Sequence, residues 1–181
     1  GEDRKALGTI KNILTQYGHI YTGYSREPAN VLRHVRSLGP ELVVVEVRDN
    51  FRELRPVLDI MDEELLSACI LLMESRSDEV FEFLRNTRVI TYIAKPVFDD
   101  VLMQIVDISL GNFVRVREYE EKVRKLSETL ESRKIIEKAK WILVEQEKVS
   151  EEEAFDIIRR KSRDNRMPMR SIAEAIILTR G

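Results

Sequence analysis

Lys134 to Thr179 reads KIIEKAKWILVEQEKVSEEEAFDIIRRKSRDNRMPMRSIAEAIILT, and its punctuation describes three helices. The first arrives from upstream and runs to about Glu147. Ser150 then caps a second. Glu151, Glu152 and Glu153 follow it, so a serine at the N-cap meets a glutamate at N3, and the two satisfy each other's free backbone N–H groups. The same acids suit the positive end of a helix dipole. Ala154, Phe155, Ile157 and Ile158 recur at helical spacing and give this helix an inward face. Asp164-Asn165-Arg166 breaks it. Pro168 fits the first turn of a third helix, whose buried stripe is Ile172, Ala173, Ile176 and Ile177.

One side of this unit is basic. Residues 159–170 hold Arg159, Arg160, Lys161, Arg163, Arg166 and Arg170 against the single acid Asp164. Residues 133–181 carry twelve Lys and Arg against nine Asp and Glu, a net +3, while residues 1–132 carry eighteen against twenty-three, a net −5. A basic patch fused to an acidic partner is an electrostatic footprint for a phosphate backbone. Charge alone leaves open an ordinary solvated face on a helical hairpin.

The motifs narrow this. Ala139-Lys140-Trp141-Ile142-Leu143 on the first helix, Ser150 and Ala154 opening the second, and Arg170-Ser171-Ile172-Ala173-Glu174-Ala175 on the third resemble the ANTAR domain, the RNA-binding antitermination module of amidase and nitrate regulators. The likeness runs over about 45 residues without a gap. It implies RNA contacts at Lys140 and Arg170, with Arg166 beside them. Trp141 departs from the family's usual glycine. It stands either as a stacking surface for a base, worth about 1–3 kcal/mol where it occurs, or as core.

The rest of the chain bounds the class. At 181 residues it holds one or two domains, and 43% hydrophobic with 34% charged residues is a globular composition. No apolar run is long enough to span a membrane, and no signal peptide opens the chain. The single cysteine, Cys69, lies in an apolar run, reads as core, and fits a reducing cytoplasm. Two histidines without metal-ligand spacing give no metal signal, and no cofactor or catalytic residue is expected.

Residues 5–17 show a helical apolar stripe ended by Gly18. His19–Tyr24 reads as a short strand and Glu27–Leu38 as a helix with Pro28 in its first turn. Leu42–Val47 and Ala68–Met73 are continuous apolar runs, the mark of strands buried on both faces. Helices are expected near Glu53–Leu66 and over Ser77–Asn86, a strand over Val89–Ala94, and a helix from about Phe98. Such alternation makes a parallel sheet with helices on both faces. Function then gathers at the carboxyl ends of the strands, at Glu46–Asp49, Met73–Ser75 and Lys95-Pro96.

This part resembles a response-regulator receiver domain, a flavodoxin-like α/β fold. Lys95-Pro96 after a strand matches the family's Lys-Pro pair. Pro40-Glu41-Leu42-Val43-Val44-Val45 resembles the run leading into the phosphorylated aspartate, and Glu2-Asp3 part of the acidic Mg²⁺-binding pair. The departures are chemical. The phosphoacceptor position holds Glu46, one methylene too long for the in-line geometry of phosphoryl transfer. The family's Ser/Thr switch position holds Met73, which donates no hydrogen bond to a phosphoryl oxygen. The resemblance therefore implies a degenerate receiver, with Glu46 paired to Lys95 or merely keeping a surface charge. The family also places a buried strand ahead of its acidic pair, and none precedes Gly1-Glu2-Asp3 in this sequence.

Between the two parts, residues 113–147 contain neither glycine nor proline. Val116, Tyr119, Val123, Leu126 and Leu130 recur at 3, 4, 3, 4 spacing, an a/d heptad seam. The same stripe also suits packing against the receiver's own helices. Gly111-Asn112 marks the expected bend. The organisation expected is a receiver-like domain over 1–110, a coiled-coil linker helix over 111–133 and a three-helix all-α RNA-binding domain over 134–181.

Three functions compete. The first is a homodimeric antitermination regulator that binds stem-loops in a messenger RNA leader and takes its signal from a sensor protein or a histidine kinase. The second is a DNA-binding two-component response regulator, disfavoured by the lack of glycine between the second and third helices. The third is an interaction protein that sequesters a partner.

Overall fold

A computed structural model describes residues 3–180, and for residues 3–5 the backbone alone. The elements in order are α1 (Asp3–Gln16), α2 (Pro28–Leu38), β1 (Leu42–Val47), α3 (Phe51–Glu63), β2 (Ala68–Met73), α4 (Asp78–Leu84), β3 (Ile90–Ala94), α5 (Asp99–Glu147), α6 (Glu151–Asn165) and α7 (Met169–Arg180). They form two compact units, the first ending at Tyr119 and the second beginning at Glu120, both within α5. This division falls inside the stretch 111–133 expected as a linker.

The first unit is the parallel α/β layer structure expected. β1, β2 and β3 lie side by side in that order, all parallel, with Val45 opposite Leu71 and Leu71 opposite Tyr92. Alternation across the pleat divides β2 between two cores. Cys69, Leu71 and Met73 join a core with Val35, Phe51, Leu58, Met61 and Phe83 from α2, α3 and α4. Ile70 and Leu72 join the opposite core, with Ile10 and Ile13 of α1 and Leu102 and Val106 of α5. All six residues of β2 are buried, as a strand covered on both faces requires. The start of β3 is pinned by the buried Asp62 carboxylate, whose Oδ1 accepts from the backbone N–H groups of Arg88 and Val89 at 2.8 Å each.

Two expectations fail in the first unit. His19–Tyr24 is not a strand: Ile20 is 88% exposed, and the segment is irregular. A β-rich composition becomes a strand only beside a hydrogen-bonding neighbour, and among the described residues the sheet offers it none. The bend at Gly111-Asn112 is absent as well, because α5 runs unbroken from Asp99 to Glu147. A glycine inside a helix costs only about 1 kcal/mol. Here Asn112 Nδ2 donates to the carbonyl of Arg88 at 2.6 Å, and Phe113 is buried against Ala68 and Val89, so this turn is held in place from outside the helix.

The second unit is the three-helix arrangement expected. Ala139 and Leu143 of α5, Ala154 and Ile158 of α6, and Ile172, Ala173 and Ile176 of α7 form one core, with Ile136, Ile157 and Ile177 packed against it. Phe155, expected to face inward, is exposed instead, because it directly follows the buried Ala154 and so stands about 100° around α6 from it. Three fully buried alanines, Ala139, Ala154 and Ala173, let the helices approach closely. The predicted capping box is formed: Ser150 Oγ accepts from the backbone of Glu153, and the Glu153 carboxylate accepts from the backbone N–H of Ser150 at 2.8 Å. That second bond holds the Glu153 carboxyl below its ordinary pKa. Between α6 and α7 the left-handed position normally given to glycine is taken by Arg166, at φ 53°. Pro168 sits one residue ahead of the first residue of α7, where its carbonyl accepts from Ile172.

Candidate functional site

The carboxyl ends of β1, β2 and β3 converge as parallel-sheet geometry requires. Lys95, just past β3, reaches back to the end of β1. Its Nζ donates to Glu46 Oε1 at 2.6 Å and to Glu74 Oε1 at 3.2 Å. The second oxygen of Glu46 accepts from Arg48 Nη2 at 2.7 Å. Glu46 is 10% exposed and Lys95 21%, so this is a largely shielded pair. The hydrogen bond that Lys95 donates to Glu46 is the first cause of a raised lysine pKa at position 95, with Glu74 adding to it. Of the two readings of Glu46, the ion pair is the one the fold builds.

This geometry leaves little room for phosphoryl chemistry. Both oxygens of the Glu46 carboxylate already carry cations, and Met73 is buried at the end of β2, offering a thioether where a hydroxyl would be needed. Asp49 stands exposed in the turn beyond β1. Glu2 and the side chain of Asp3 lie outside the described residues. Among the described residues no cluster of His, Cys, Asp and Glu forms a metal site. Incubation with acetyl phosphate and Mg²⁺ is expected to leave the intact mass unchanged. A gain of one phosphoryl group that survives Glu46→Gln and disappears with Asp49→Asn would move the phosphoacceptor to Asp49. Cys69 is no nucleophile either, since burial, with the Asp62 charge adding to it, pushes its thiol up to about 12.

On the second unit the structure separates the basic residues by what each already holds. Lys140, whose side chain is 13% exposed, donates to Glu137 at 2.9 Å and pairs with Glu151 at 3.3 Å, tying α5 to the start of α6. The Glu137 bond, then Glu151, raises its pKa. Arg170 Nε donates to Glu174 at 2.8 Å, which raises its pKa first, with Glu131 and Glu128 of α5 contributing. Lys140 and Arg170 are therefore engaged with different acids, and no bond joins them. Arg159 pairs with Asp156 at 2.7 Å. By contrast Arg160, Lys161, Arg163 and Arg166 form no ion pair among the described residues. All four are exposed. Arg160 and Arg163 stand two and five residues from the buried Ile158, on the solvent side of α6. The run 159–170 is visible in the sequence, but which of its arginines lack an acid neighbour is not.

Trp141 is 55% exposed and is not core. The seam residues divide. Val116 packs against the cluster of Ala68, Val89 and Phe113, whereas Tyr119, Val123, Leu126 and Leu130 are 65%, 62%, 65% and 58% exposed.

The architecture defines a class: a parallel receiver-like unit with a Glu46–Lys95 ion pair at the carboxyl ends of its strands, and a small helical unit with a cationic outer face. Residues 124–177 match the family model of the ANTAR domain. The chain is 26% identical over 173 residues to the transcriptional regulatory protein PdtaR of Mycobacterium tuberculosis, in strains CDC 1551 / Oshkosh and ATCC 25618 / H37Rv alike. The similarity covers 95% of this chain and 84% of that relative. The chain thus carries an ANTAR domain behind a receiver-like domain. Among the described residues no helix is long and apolar enough to cross a membrane.

Proposed function

We propose that this chain is a transcription antitermination regulator. It binds stem-loops of nascent messenger RNA as a dimer, so that an antiterminator-like structure forms at the expense of a terminator. The observation that carries this reading is the unpaired cationic face of Arg160, Lys161, Arg163 and Arg166 on a domain of the ANTAR family. The relative's name, a transcriptional regulatory protein, agrees with it. No bond is made or broken, so the work is all in binding. Phosphate contacts from such a face supply affinity that falls steeply with salt. Two copies joined through Tyr119, Val123, Leu126 and Leu130 would hold two stem-loops at once. With the Glu46 carboxylate already occupied, the input unit takes its signal by contact with a sensor protein, and a histidine kinase would act only through another acceptor such as Asp49. The place of work is the cytoplasm, where nascent RNA and a reduced Cys69 belong together.

A gel shift with a stem-loop RNA tests this. The RNA is expected to compete for the complex, and duplex DNA of the same sequence is not; the reverse result would favour a DNA-binding regulator. Arg163→Ala and Arg166→Ala are each expected to weaken the RNA complex by about ten- to a hundredfold. Lys140→Ala and Arg170→Ala, at the motif positions, should weaken it by less than about tenfold, because each cation must trade a carboxylate it already holds for a phosphate. Equal binding by the Arg163→Ala and Arg166→Ala variants, with loss in the other two, would move the interface to the motif positions.

A further inference from the structure

Arg166 breaks a local rule. At φ 53° and ψ 38° it holds the left-handed conformation that closes α6, where glycine is free of strain and a residue with a Cβ is not. It is exposed, and no ion pair among the described residues accounts for an arginine there. Strained residues of this kind persist where function needs them and where the surroundings over-determine the backbone.

Here the surroundings act mainly through one residue. The Arg166 N–H donates to the carbonyls of Ser162 and Arg163, and the Met167 N–H donates to the Ser162 carbonyl at 3.0 Å. Ser162 then adds its hydroxyl, whose Oγ donates to the Met167 carbonyl at 2.5 Å. Ser162 thus grips both backbone polar groups of Met167, the residue that follows Arg166. Pro168 restricts Met167 from the other side, since a residue before proline avoids the helical region. Asn165 Nδ2 donates to the Lys161 carbonyl at 2.8 Å and ties the end of the helix further. Residues 164–168 are all exposed, yet the turn they make is held at each step.

What this locked turn displays is cationic. Arg163 stands three residues before Arg166, also exposed and without an acid partner among the described residues. An arginine on a fixed backbone loses less freedom on meeting a phosphate or a base edge than one on a loose turn. A fold that needed only a stop for α6 would be better served by glycine at position 166. Arginine there, with a serine to hold it, serves a ligand.

We propose that Ser162 is a positioning residue for RNA: its hydroxyl locks the turn between α6 and α7 in the left-handed form, which fixes Arg166 for contact with a stem-loop. The proposal rests on the reading of the α6 face given above.

The test is a double-mutant cycle on the full chain, with a stem-loop RNA selected in vitro against the parent as probe. Arg166→Gly is expected to weaken binding about tenfold or more, while its thermal midpoint rises by a few degrees because the strain is gone. Ser162→Ala leaves every charge in place and should still weaken binding by about three- to tenfold. Ser162→Thr, which keeps a hydroxyl, should bind within about twofold of the parent, and Ser162→Ala added to Arg166→Gly should change binding by no more than that. Parent-like binding by Ser162→Ala, with loss in Arg166→Gly, overturns the proposal and leaves the α6 face standing. An equal loss from Ser162→Ala in both backgrounds overturns it too, since the serine would then act independently of Arg166. So does a lowered thermal midpoint in Arg166→Gly, which would assign the arginine to the fold. Parent-like binding by Arg166→Gly and Arg163→Ala alike removes the α6 face itself.

Discussion

Ala173→Glu is expected to unfold the three-helix unit and abolish RNA binding together. Ala173 is fully buried among Leu143, Ile158 and Ile176, with the equally buried Ala139 and Ala154 in the same core. Alanine at these positions sets how near the helix axes come. A longer side chain forces them apart, at about 1–3 kcal/mol for overpacking alone. The carboxylate adds the larger cost, because an ion buried without a partner loses several kcal/mol of hydration. The total exceeds about 4 kcal/mol, the range reserved for charge burial and core disruption. A small helical unit has little more than that to lose. The control is Ala175→Glu, two residues along α7 and on its exposed side. It should change stability by no more than about 0.5 kcal/mol. Thermal melts followed by circular dichroism, paired with gel shifts, check both. An Ala173→Glu protein that melts with the parent would mean that α7 does not pack as described.

The second large effect is expected from Leu126→Asp combined with Leu130→Asp, which should yield a folded monomer at any practicable concentration. In a single chain these leucines are 65% and 58% exposed, so the substitution removes no internal packing. In a dimer it removes two leucines from each copy. Burial of a leucine is worth about 1.5–3 kcal/mol, so four of them outweigh about 5 kcal/mol, more than a thousandfold in the dissociation constant. The introduced aspartates add like-charge repulsion across the seam. Light scattering reads the outcome, and hydrogen exchange should show Ile158 and Leu143 as protected as in the parent. A species that is still dimeric would place the interface elsewhere on the molecule. A monomer that keeps its affinity for a paired stem-loop target would show that the two copies bind independently, without avidity.

Much of the fold is legible in the amino-acid order by itself. The capping box at Ser150 and Glu153 involves groups three residues apart, so local sequence alone specifies it. The runs LVVVEV and ACILLM form β1 and β2 within the expected limits, because continuous β-branched and apolar runs favour a strand; ACILLM is buried throughout, whereas LVVVEV, expected to be buried on both faces, is largely half-buried and carries Glu46. The apolar stripes of the second unit mark its core at every position but Phe155, because the helical period is a property of the chain itself.

Other features belong to the tertiary structure alone. His19–Tyr24 has strand composition, but pairing is a relation between segments, and here the relation is missing among the described residues. Glu46 and Lys95 are 49 residues apart, and only the parallel register of β1, β2 and β3 brings their carboxylate and ammonium to 2.6 Å. Gly111 reads as a breaker until Asn112 and Phe113 find their partners on another part of the fold. The basic run 159–170 is plain in the sequence, yet a charge count is blind to neighbours. The fold decides that Lys140, Arg159 and Arg170 face carboxylates while Arg160, Lys161, Arg163 and Arg166 face water. The same holds for Trp141. Its residue type allows core or base stack. Position opposite Ala139 and Leu143 excludes core, because which side of a helix is outside depends on what packs against the other.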